Sequence, residues 1–134
     1  MNKKARILEQ ELYLWLTGIQ EDDPLPYEIA NIYFIVEFSN DDIALSYSGS
    51  ENDLQILDYG FYCPLEAEYF FSEVLKELAK LLFCTKSKIS KLQVKKILQS
   101  EILSVLPRLE YLKNKKVYFG ERFKKKKIIM QDSA

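Results

Sequence analysis

A chain of 134 residues with 19 Lys/Arg and 20 Asp/Glu is long enough for one domain that needs no disulfide or metal staple. Its 48% apolar content, against only four Gly and four Pro, excludes a low-complexity chain. It has no histidine and only two cysteines, which excludes Ser–His and Cys–His nucleophile pairs and the familiar zinc sites.

The N-terminal segment predicts an amphipathic helix: Ala5, Leu8, Leu12, Trp15, Leu16 and Ile19 recur at three- and four-residue steps. Asn2 is placed to cap its start, and Gly18 with Pro24 and Pro26 to end it before the acidic loop Glu21-Asp22-Asp23. Lys3 and Lys4 resemble the charged start of a secretory signal, but Glu9 and Glu11 interrupt the apolar stretch that such a signal needs next. No run approaches the roughly 18 apolar residues of a membrane span, so a cytoplasmic protein is expected.

Residues 29–38 are β-rich on both alternating faces, as in a central strand covered on both sides. Asn40 and Asp41 suit a tight turn. Ile43, Leu45 and Tyr47 then alternate with Ala44, Ser46 and Ser48 in a second strand. A turn at 49–53 and a third strand at 54–62, with Gly60 as a bulge, complete an antiparallel meander. A helix is expected over 64–84, with Pro64 at its first position, Glu66 and Glu68 near its positive end and a core stripe from Ala67 to Leu82. Residues 89–106 predict another helix, stopped or kinked at Pro107, whose apolar residues form no clean stripe. The segment 111–123 can add a strand.

The fold class is therefore α+β: N-terminal helix, three-stranded antiparallel meander, two helices and a basic C-terminal segment. Residues 1–123 are read as one domain and 124–134 as a basic, flexible tail.

The near-zero net charge hides a division. Residues 1–85 hold 5 Lys/Arg and 16 Asp/Glu, a difference of −11; residues 86–134 hold 14 and 4, a difference of +10. One explanation packs the basic half beside the acidic half, in the same chain or a second copy. The other makes the basic half a phosphate footprint. The residues so marked, for phosphate or partner contact, are Lys113, Lys115, Lys116, Lys124, Lys125, Lys126 and Lys127. Tyr111, Tyr118, Phe119 and Phe123 lie among them, as base-stacking platforms or, by the preferred reading, as a strand closing the core.

Cys63 and Cys84 match no metal or redox spacing and are expected as buried thiols. Glu37, Asp41, Asp42, Glu51 and Asp53 offer oxygens for a hard cation if they converge, but turn chemistry accounts for them. No glycine-rich phosphate loop is present. No catalytic, cofactor or metal residue is assigned. The functional expectation is a non-enzymatic protein-interaction or accessory domain whose partner is a protein or a second copy of itself. The alternative is nucleic-acid binding through the Lys-rich half.

Overall fold

Leu8, Leu12, Leu16 and Ile19 are almost fully buried along one face of helix α1 (Asn2–Asp22). The computed structural model describes residues 2–39, 41–51, 62–64, 70–84, 86, 89–122 and 124–130; the side chains of Asn2 and Ala5 lie outside the description. Trp15 is half-buried against the same core. Gly18 does not end α1. A single glycine inside a helix costs only about 1 kcal/mol, and the helix continues to Asp22 before Pro24 stops it. Glu21 and Asp22 thus belong to its last turn.

Strands β1 (Asn31–Ser39) and β2 (Asp42–Ser50) form the expected hairpin, with Phe38 opposite Ile43. Asp41 takes the turn at φ 61°, a left-handed conformation that Asp tolerates; Asn40 lies outside the described residues. The strand runs through Gly49, which pairs with Ile32, so the turn expected at 49–53 begins later. The third meander strand falls mostly on residues outside the description, Gly60 included. Tyr62 alone forms an antiparallel bridge to Gly49.

Helix α2 (Glu73–Leu82) starts at Ser72, whose hydroxyl accepts a hydrogen bond from the Leu75 amide at 3.2 Å and donates to the Glu11 carboxylate at 2.8 Å. This cap sets the start later than Pro64, which lies outside the helix. Glu66, Ala67 and Glu68 lie outside the described residues. Leu75 and Leu78 are buried, as the periodicity requires.

Helix α3 (Lys91–Val105) opens with a reciprocal capping box between Ser90 and Gln93. Its buried residues, Val94, Leu98, Ile102 and Val105, do form a stripe. Leu92 and Leu103, which obscure it in the sequence, are exposed. Pro107 ends α3 in a short 3-10 turn.

Strand β3 (Lys116–Glu121) lies parallel to β1, and β4 (Lys127–Met130) lies antiparallel to β3. The result is a mixed four-stranded sheet ordered β2-β1-β3-β4. The residue run 124–127, expected in a tail, instead leads into this edge strand. The partner of β1 across from β2 comes from the far end of the chain. One sheet face packs Ile32, Phe34, Val36, Leu45, Val117 and Phe119 into the core shared with the helices. The other buries Tyr33, Ile35 and Tyr118, with the two tyrosine rings stacked at 5.1 Å.

Candidate functional site

The marked lysines separate along β3. Lys113, Lys115 and Lys116 lie at its start, and residues 124–127 follow its end. At roughly 3.3 Å per residue, the strand holds the two groups about 15–20 Å apart.

At the start, Asn114 adopts φ 65° and turns the chain into the strand. Lys113 pairs with Glu110 at 2.8 Å, and Lys115 donates to the Tyr27 carbonyl at 3.3 Å while lying over its ring. Tyr111, just before them, donates to the Leu16 carbonyl at 2.9 Å and so ties this end to α1. Beside it, Tyr62 donates to the Asp23 carbonyl at 2.7 Å. Burial raises the hydroxyls of Tyr47 and Tyr111 well above the usual phenol range and pushes Tyr62 up to about 12. These phenols stay protonated, and Tyr62 and Tyr111 act as structural donors.

The end of β3 is built differently. Gly120 passes under the following turn so closely that a Cβ would lie 2.9 Å from Lys126 Cδ and 3.2 Å from Lys126 Cα. Lys126 is buried, with its ammonium on the Lys124 carbonyl. Alternation then leaves Lys125 and Lys127 exposed on the other side. α3 runs alongside with Lys95 and Lys96.

The two elements enclose a cleft of about 260 Å³, lined by Leu92, Gln99, Phe119 and Gly120 and by Lys95, Lys96, Lys124, Lys125 and Lys127, with Glu121 as its one carboxylate. Lys95 Nζ lies 2.8 Å from Glu121 Oε1, and Lys124 Nζ lies 3.2 Å from Glu121 Oε2. Burial acts to raise the Glu121 carboxyl, but hydrogen bonds and charge from both lysines outweigh it and hold it below the usual carboxylate range. Among the described residues, Lys96, Lys125 and Lys127 have no carboxylate within ion-pair distance. Sequence reasoning missed Lys95 and Lys96. Their three- and four-residue spacing from Leu92, continued by Gln99, is the signal that places them on one face of α3.

Few ion pairs among the described residues bridge the charge division. Among the described residues two ion pairs join the halves, Arg108–Glu9 at 3.5 Å and Arg122–Glu37 at 3.0 Å, and both use arginine. Among the described residues the aromatics near the lysines turn inward: Tyr118 and Phe119 are buried and Tyr111 is half-buried, so these three are not stacking platforms. Phe123 lies outside the described residues. Cys63 and Cys84 are exposed rather than buried: Cys63 points outward between buried Tyr62 and Pro64, and Cys84 lies just past the end of α2.

The acidic turn residues do not converge. Glu37, Asp41 and Asp42 sit at the hairpin end of the sheet, while Glu51 follows Ser50 at the opposite end; Asp53 lies outside the described residues. No group of three or more Cys, Asp or Glu able to hold a metal ion occurs among the described residues. No helix among them is long and apolar enough to cross a membrane. No protein-family model, curated protein or solved structure matches the chain.

Proposed function

We propose that this chain is a non-enzymatic binding domain that holds the phosphate backbone of a nucleic acid in the cleft between α3 and the β3–β4 turn. The observation that carries this reading is the gathering of five lysines around a single carboxylate, drawn from two elements far apart in sequence. Both elements are anchored beneath: α3 by its buried stripe, the turn by Lys126. Lysine offers compact point charges rather than a shaped fork, which suits phosphate without base readout. Among the described residues no exposed aromatic lines the cleft, which points the same way. The expected mode is sequence-independent and strongly salt-dependent.

Fluorescence anisotropy with labelled single-stranded and duplex oligonucleotides tests this across a salt series. Replacing Lys96, Lys125 and Lys127 together by Gln should lower the slope of log affinity against log salt by roughly one unit per lost contact. Replacing Lys113, Lys115 and Lys116 should leave it nearly unchanged. No binding at about 50 mM salt, where counterion release favours association, overturns the proposal. So does equal sensitivity to the two sets. Binding of polyglutamate without binding of nucleic acid would assign the cleft to an acidic protein instead.

A further inference from the structure

Opposite its buried face, α1 presents a second line of residues: Lys3, Ile7, Gln10, Leu14, Thr17 and Glu21. Their steps alternate between four and three, the repeat that forms the seam of a two-helix pair. Ile7 is 44% exposed and Leu14 is 58% exposed, and the open groove between them is bordered by Lys3, Arg6, Gln10 and Glu11. The Thr17 hydroxyl already bonds to the Tyr13 and Leu14 carbonyls at 2.9 and 3.1 Å. Covering this line therefore leaves no threonine donor unpaired.

We propose that this face is the interface of a homodimer in which α1 packs antiparallel against α1 of a second copy. Charge complementarity selects that occupant and that direction. The helix carries Lys3, Lys4 and Arg6 in its first turns and Glu21 and Asp22 in its last, with no acidic residue in the first turn and no basic residue in the last. This is the reverse of what the helix macrodipole favours. An antiparallel copy brings Glu21 and Asp22 to the positive end and Lys3 and Arg6 to the negative end. The two dipoles then also oppose one another. A parallel copy would stack like charges at both ends. With the helices centred on each other, Lys3 faces Glu21 of the second copy, Ile7 faces Thr17 and Gln10 faces Leu14.

Sedimentation of the full chain tests this, because the two ends of α1 can be reversed separately. The wild-type chain should dimerise, more weakly as salt rises toward about 0.5 M and screens the end charges. The pair Lys3→Glu/Arg6→Glu makes both helix ends acidic, and Glu21→Lys/Asp22→Lys makes both basic. Each variant alone should be monomeric, and an equal mixture should restore a dimer. Each change improves the match to the dipole of its own helix, so loss of the dimer cannot be ascribed to loss of the helix; circular dichroism provides the check. Leu14→Glu should also give a monomer, whereas the Lys96/Lys125/Lys127 variant should still dimerise. A wild-type monomer at every concentration, a dimer indifferent to either charge reversal, or a mixture that stays monomeric overturns the proposal.

Discussion

The two ends of β3 carry similar lysine clusters in the sequence and opposite arrangements in the fold. At the start, Lys113 is held by its own helical turn, Lys115 reaches the Tyr27 carbonyl, and Tyr111 ties the segment to α1. At the end, the chain turns back over Gly120 and α3 adds two further lysines, so that five lysines line a cleft holding one carboxylate, which pairs with Lys95 and Lys124. Lysine density along a chain thus says little about a binding surface. What decides it is whether a second element brings more charge of the same sign to the same place.

Four changes bear on this contrast. The largest is Leu98→Ala, at a fully buried position on the inner stripe of α3. It should cost about 2–5 kcal/mol in urea unfolding, the range for a large-to-small core change, because α3 is both a wall of the cleft and part of the common core. A loss below about 1 kcal/mol would mean that α3 is not held by this stripe.

Tyr111→Phe acts on the start of β3 alone. Losing its bond to the Leu16 carbonyl should cost about 0.5–1.5 kcal/mol and leave the cleft's salt dependence unchanged. The tyrosine cluster also fixes the alkaline behaviour. A phenol raised in the folded state adds stability that is whole below its ordinary pKa of 10.0 and is lost as pH rises through the folded value, about 12 for Tyr62. Unfolding free energy should therefore be flat in this respect up to pH 10.0 and decline above it. Absence of a decline above pH 10.0 would show that the phenols are not raised by burial.

Gly120→Ala acts on the other end. The new methyl meets the buried side chain and the backbone of Lys126, and overpacking of this kind costs typically about 1–3 kcal/mol. The contacts are the side-chain stem and the backbone of a buried lysine rather than a free side-chain end, so the turn must move to admit the methyl. Oligonucleotide affinity should drop with it, while the Tyr111 end remains unaltered.

The smallest effect belongs to Glu121. Its carboxyl is held below the ordinary 4.5 by Lys95 and Lys124, despite the opposing effect of burial. The stability it adds is present above pH 4.5 and lost as pH falls below it. Glu121→Gln should flatten that acid limb and cost less than about 1 kcal/mol at neutral pH. It should also strengthen oligonucleotide binding by removing the one carboxylate that lines the cleft. Weaker binding would mean that Glu121 is needed to position the two lysines.

Local pattern carried much of the architecture. The buried line of α1, the two-sided strand β1, the Asp41 turn and the buried face of α2 all arise from residues within a few positions of one another. Such short-range chemistry acts wherever the segment lies. The limits of elements were less legible: α1 runs through Gly18, and α2 waits for the Ser72 cap rather than starting at Pro64. In α3 the exposed Leu92 and Leu103 hid a clean inner stripe, because apolar residues on a surface look the same in a sequence as those in a core.

By itself, the sequence determined the α+β class, the first hairpin, the core faces of α1 and α2, the absence of histidine chemistry and the separation of charge into halves. Only the tertiary structure decided that β1 takes β3 as its parallel neighbour, a pairing between residues some 85 positions apart (Asn31 with Lys116) that no local periodicity encodes. That pairing carries the basic segment into the sheet, separates its lysines to the two ends of one strand and turns Lys126 inward. It also sets α3 beside the exposed remainder. The cleft exists because long-range strand pairing and helix packing place side chains from distant segments within a few ångströms of one another.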